Sequence, residues 1–155
     1  MVKKKSKLGD KLNLSLALSC DHKILAPVGW FKGAKKIISK ALSKRTVVEI
    51  NVALVSAATI KKFNHRYRHQ NKITDVLSFT YLNSKKYLQG DVVICLSVAR
   101  RQAHELGHSL KEELNALLVH GALHLLGHDH HTIKETKAMM KAESMILGTK
   151  RRLVS

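Results

Sequence analysis

Apolar and polar residues alternate along this chain with two different periods, and each change of period marks a new element. Leu12, Leu14, Leu16 and Leu18 recur at every second position, the signature of a half-buried strand. Across residues 27–44 the period lengthens. Trp30, Phe31, Ala34, Ile37, Ile38, Ala41 and Leu42 fall at helical spacing, Pro27 suits a helix start, and Lys32, Lys35, Lys36 and Lys40 fill the opposite face. Val48, Ile50, Val52 and Leu54 return to strand alternation, and Ser56 is placed to cap a helix running to about Arg66. Short apolar runs at 75–80 and 91–96 predict two further strands joined through 83–90, and Ser97 opens a helix ending near Gly107. Ser109 with Glu112 forms a capping box for a helix carrying Leu114, Leu117, Leu118 and Leu125. Thr132 with Glu135 forms a second box for a last helix closed by Gly148. This order predicts an α+β or mixed α/β fold: a small mixed sheet of about four strands packed with about five helices. Residues 11–148 read as one domain, between basic tails at 1–10 and 149–155.

The chemistry concentrates in HGALHLLGHDH, residues 120–130. His120 and His124 are four apart, so on a helix they share one face about 6 Å apart along the axis. That spacing lets both imidazoles reach one metal ion at roughly 2.0–2.1 Å. A continuing helix would carry His130 about 15 Å beyond His120. Gly127 can adopt the left-handed conformation, end the helix and fold the chain back, bringing His130 round as a third ligand. Three histidines leave a tetrahedral zinc one further position, the layout of a catalytic site. The pattern matches the zinc-protease motif except at Gly121, where that motif carries its glutamate base. A zinc hydrolase other than an ordinary peptidase is the natural reading. His128 and His131 flank the run as spare ligands, proton carriers or surface residues. Asp129 between them is better suited to a turn than to closing the site as a fourth ligand. Asp75 and Asp91 either orient a ligand histidine through its second nitrogen or satisfy backbone amides at strand ends.

Charge narrows the partner. Lys and Arg number 28 against 11 Asp and Glu, a net +17 that favours a polyanionic partner, either nucleic acid or an acidic membrane surface. With three Phe, three Tyr and one Trp, the composition does not advertise base-stacking platforms, so recognition would lean on phosphates. Cys20 and Cys95 lack the spacing of a redox or zinc pair and fit a reducing compartment. No apolar run approaches the ~18–20 residues that cross a bilayer. The expectation is a cytoplasmic protein with no membrane association.

The histidine run, the upstream RYRHQNKITDVLSF and the segment GDVVIC together resemble the YbeY family of bacterial endoribonucleases, the ribosomal RNA maturation factors. The resemblance extends from the first strand to the last helix. It implies a single-strand-type endoribonuclease with one zinc ion per chain held by His120, His124 and His130, acting in ribosomal RNA processing, late small-subunit 3′-end maturation and ribosome quality control. It also implies a functional arginine, which falls on Arg68. The chain departs from the usual pattern at Ile73 and Thr80, where proline is common, and at His128, where tyrosine is common. A guanidinium fork at Arg68 would match two non-bridging oxygens of a phosphodiester transition state, while zinc makes water acidic enough to react without a protein base at position 121. Two alternatives stand beside this reading: a zinc hydrolase of another substrate, peptidase-like, and a non-catalytic RNA-binding or ribosome-assembly factor.

Overall fold

The computed structural model describes residues 13–148; the expected tails at 1–10 and 149–155, and Leu12, lie outside the described residues. Among the described residues nine elements follow in order: β1 (Asn13–Cys20), α1 (Trp30–Ala41), β2 (Val47–Val55), α2 (Ala57–Arg68), β3 (Val76–Asn83), β4 (Tyr87–Cys95), α3 (Leu96–Leu106), α4 (Leu110–Leu125) and α5 (Ile133–Leu147). The strands form one sheet in the order β1-β2-β4-β3. β1 and β4 run parallel to β2, and β3 pairs antiparallel with β4 as an edge strand. The mixed α+β architecture expected from the periodicity is what the chain adopts.

Strand alternation divides the core between two faces. On one, Leu16, Ile50, Val52, Leu88, Val92 and Ile94 pack under Trp30 and Ile38 of α1 and Leu114, Leu118 and Leu125 of α4. On the other, Val55, Leu77, Val93 and Cys95 meet Ile60 of α2 and Val98 of α3. A third cluster, Val119, Leu123 and Met139, fastens α5 onto the outer side of α4. Ten of the sixteen residues of α4 are buried, so this helix is apolar nearly all round and sits at the centre of the molecule. Trp30 ties α1 to it, donating Nε1–H to Asn115 Oδ1 at 2.9 Å.

Two glycines set how closely α4 lies on the sheet. A Cβ at Gly121 would come 2.6 Å from Val92 Cγ1, and one at Gly90 would come 2.7 Å from Leu125 Cδ2. Each lets helix and strand approach further than any side chain would allow.

Several boundaries differ from the sequence reading. The connection expected across 83–90 is a hairpin: β4 begins at Tyr87, and Ser84 N–H closes the turn on the Tyr87 carbonyl at 2.8 Å. Thr80 to Leu82 carries a register shift, which blurs the alternation that would have extended β3. α3 starts one residue early, at Leu96, and α2 continues to Arg68. α1 starts at Trp30, with Pro27 in the preceding turn. The capping boxes at Ser109 and Thr132 and the side-chain cap at Ser56 are all formed. No helix among the described residues is long and apolar enough to cross a membrane.

Candidate metal centre

α4 ends in a Schellman motif, and that ending builds the site. Gly127 takes φ +92. Its N–H donates to the His124 carbonyl at 2.9 Å, and His128 N–H reaches back to the Leu123 carbonyl at 3.0 Å. The chain reverses, and the following loop is pinned at both ends. Asp129 Oδ1 accepts the His130 N–H at 2.8 Å, Thr136 Oγ1 donates to the His130 carbonyl at 3.2 Å, and Thr132 caps α5.

His120, His124 and His130 are thereby brought together. One nitrogen from each lies within 4.8 Å of the others. The Nε2 atoms of His120 and His124 are 3.1 Å apart, close to the ~3.3 Å that two nitrogens share around a tetrahedral ion with 2.0–2.1 Å bonds. The His130 ring lies 5.3 Å from that of His124 and 5.9 Å from that of His120, centre to centre. Burial holds the His124 imidazolium down to about 4, with the His120 and His130 rings adding to the effect, so at neutral pH it presents the neutral, ligating form. The donor set fits a divalent transition ion, and among the described residues no fourth histidine, cysteine or carboxylate joins the group.

Behind His120 stands a residue the sequence reading missed. Glu143 of α5, only 2% exposed, accepts from His120 Nδ1 at 2.5 Å. A carboxylate there fixes the proton on Nδ1 and turns the Nε2 lone pair toward the other two histidines. The signal was present in α5, where Glu143 interrupts the apolar face formed by Met139, Ala142 and Ile146. A charge on a buried face needs a partner.

Asp75 and Asp91, considered for that orienting role, are engaged elsewhere. Asp75 accepts from its neighbour Val76 N–H at 2.8 Å and from Gln102 Nε2 at 3.2 Å. Asp91 lies within β4, away from any strand-end turn, and bonds Tyr81 Oη and Asn51 Nδ2. Asp129 serves the loop backbone and pairs with His131 at 3.0 Å, while His128 is exposed. His131 is 81% exposed, its ring 6.1 Å from that of His130, and it is not among the three gathered donors.

Gly121 has a packing explanation. Its Cβ direction faces Val92 and Ser78 on the sheet, so the position has no room for a glutamate whatever the chemistry. Ser78 Oγ donates to the Gly121 carbonyl at 3.0 Å, and the Ser78 carbonyl accepts from Arg68 Nη2 at 2.7 Å. Arg68, exposed at the end of α2, is thus linked through one residue of the edge strand to the backbone next to His120.

These features define a small α+β protein with a three-histidine candidate metal centre at the end of a buried helix. A family model described as endoribonuclease YbeY matches residues 4–150, and the chain belongs to that family. The endoribonuclease YbeY of Staphylococcus saprophyticus is 34% identical over 139 residues, spanning 83% of this chain and 91% of that protein. Its counterpart in Staphylococcus aureus strain JH9 is 34% identical over 141 residues with the same coverage. A solution structure of a Thermotoga maritima protein superposes with a TM-score of 0.59 at 25% identity, covering 86% of this chain and 90% of that one.

Proposed function

We propose that this chain is a zinc-dependent endoribonuclease of ribosomal RNA, with His120, His124 and His130 holding one zinc ion and Arg68 meeting the scissile phosphate. The observation that carries the reading is the gathering of three imidazole donors within 4.8 Å, one of them backed by buried Glu143. A zinc ion held by these three residues would supply Lewis acidity for the activation of water and the polarisation of a phosphoryl oxygen.

The protein's own groups do the rest. Glu143 holds the tautomer of His120, and the pinned loop holds His130 against α4. Arg68 spends one N–H on the Ser78 carbonyl, which leaves the guanidinium fork to donate to non-bridging oxygens as charge builds on them. The net +17 charge supports a polyanionic substrate. The relatives' name supports RNA as that polyanion. Packing at Gly121 counts against a peptidase of the glutamate-base type.

The reading extends to maturation of the small-subunit ribosomal RNA 3′ end and ribosome quality control in the cytoplasm. Residues 11–148 are the catalytic domain, and the small ribosomal subunit is the partner. The test is cleavage of ribosomal RNA by metal-stripped protein with and without added zinc, beside His124→Ala and Arg68→Ala. Zinc-restored cleavage that both variants lose supports the proposal. Cleavage indifferent to chelation, or intact in His124→Ala, would overturn it.

A further inference from the structure

The α1–β2 connection and the β3–β4 hairpin are bound to each other. Thr46 N–H and Val47 N–H both donate to the Lys86 carbonyl, at 2.8 and 2.9 Å, and Arg45 Nη2 donates to Asn83 Oδ1 at 3.2 Å. Lys44 and Arg45 are thereby set beside Lys85 and Lys86, with Lys40 in the last turn of α1. The four lysines are exposed and Arg45 is half-buried. Residues 22–48 and 76–90 contain no Asp or Glu. Among the described residues none of these five cations forms an ion pair. Glu49, the next acid along β2, accepts instead from Gln89 Nε2 at 2.9 Å.

The basic group closes the end of the molecule at which α4 stops. Trp30 of α1 bonds Asn115, and Ile37, two turns on, packs against the cluster of Val119 and Leu123, so α1 and α4 run in the same direction. β3 runs that way too, since Ser78 and then Thr80 donate to the carbonyls of Gly121 and then Leu125. The residues that follow each element, 42–46, 84–86 and 126–132, therefore lie towards one end.

We infer that Lys40, Lys44, Arg45, Lys85 and Lys86 anchor the sugar–phosphate backbone of a double-helical RNA segment. Cations gathered without acids repel one another, and a polyanion relieves that repulsion. Lysine ammonium groups act as point charges, which suits phosphates rather than base edges. Paired RNA is met largely through its backbone and shape. A nucleic-acid duplex also carries about one negative charge per 1.7 Å of axis, twice the density of one strand, and each neutralised phosphate releases more counterion. This inference rests on the ribonuclease reading for its ligand and adds a paired segment to the substrate.

The test is fluorescence anisotropy with the zinc-loaded, full-length protein, an RNA duplex of about two turns, a single strand of equal length and phosphatidylserine vesicles. The duplex is checked for integrity after each titration. The triple variant Lys44→Gln, Lys85→Gln, Lys86→Gln should lower the slope of log affinity against log salt for the duplex by about one to three. At 0.1 M salt that is about 10- to 500-fold weaker binding. Single-strand affinity should fall by a smaller factor. A control with the same charge loss, Arg100→Gln, Arg101→Gln, Lys111→Gln on α3 and the start of α4, should keep duplex affinity within about threefold of wild type. Circular dichroism confirms the fold of each variant. An unchanged duplex slope in the first variant would overturn the inference, as would equal losses in the two variants or equal losses on duplex and single strand. Vesicle binding lost while duplex binding persists would assign the cluster to an anionic lipid surface and overturn it too. Duplex anchoring by a protein that cuts no RNA supports the anchor and counts against the nuclease reading alone.

Discussion

Glu143→Ala is the substitution whose consequences follow most directly from the geometry. It deletes the acceptor 2.5 Å from His120 Nδ1, in a site where the His120 side chain is 15% exposed and water has little access. Two effects add. The Nδ1–H loses its partner, which costs about 1–3 kcal/mol for a buried donor. The tautomer bearing its proton on Nε2 also becomes competitive, and that proton occupies the atom a metal needs. Loss of such outer-shell partners weakens metal binding by about 10- to 100-fold, or about 1.4–2.7 kcal/mol, in line with the first figure. Glu143→Gln keeps an oxygen acceptor without the charge and should lose less than about tenfold. Competition between the protein and a chelating dye for zinc at neutral pH measures both, with circular dichroism confirming the fold. A folded Glu143→Ala protein with wild-type zinc affinity would refute the orienting role and leave Glu143 as a packing residue.

Three further outcomes follow from the same structure. Gly121→Glu drives its Cβ to 2.6 Å from Val92 Cγ1 and aims a carboxylate at the sheet, so denaturant unfolding should show a loss above ~3 kcal/mol. A stable protein that gains peptidase activity would contradict this. Gly127→Ala meets nothing within 4 Å, yet it forces a side chain into φ +92, so its cost of about 1–2 kcal/mol in thermal unfolding is purely conformational, and zinc affinity should fall as His130 loosens. Asp21 Oδ2 accepts from Thr59 Oγ1 at 2.6 Å and from Ser56 N–H at 3.0 Å; these bonds, the hydroxyl's first, hold its pKa below 3.8. Its folded value is depressed, so its stabilisation is present at neutral pH and fades as pH falls below the unfolded value. Asp21→Asn should therefore melt below wild type at pH 7, by about 0.5–2 kcal/mol, with the gap closing in acid.

Local signals carried most of this fold into the sequence. Alternation placed β1 and β2, short apolar runs placed parts of β3 and β4, and Ser56, Ser109, Thr132 and Gly148 marked helix ends through side-chain and backbone chemistry that acts within four residues. The histidine trio was legible for the same reason: a one-turn spacing and a glycine that must break the helix lie within eleven residues. What depended on contacts distant in sequence was not legible. Glu143 meets His120 across 23 residues, and only the docking of α5 on α4 unites them. Gly121 read as a lost base because its neighbour Val92 belongs to another element. Asp75 and Asp91 were plausible orienters by residue type, and their real partners, Gln102 and Tyr81, come from tertiary packing and hairpin register.

The claim beneath all of this is that three imidazoles take one metal ion and leave it a position free of protein. X-ray absorption at the zinc edge of the reconstituted protein, with metal content determined on the same sample, tests it most directly. The proposed zinc site predicts one zinc per chain with three imidazole nitrogens at about 2.0–2.1 Å and a light, non-protein fourth ligand, all lost in His130→Ala. A sulfur or a fourth imidazole in the shell, or a spectrum unchanged in His130→Ala, would contradict it.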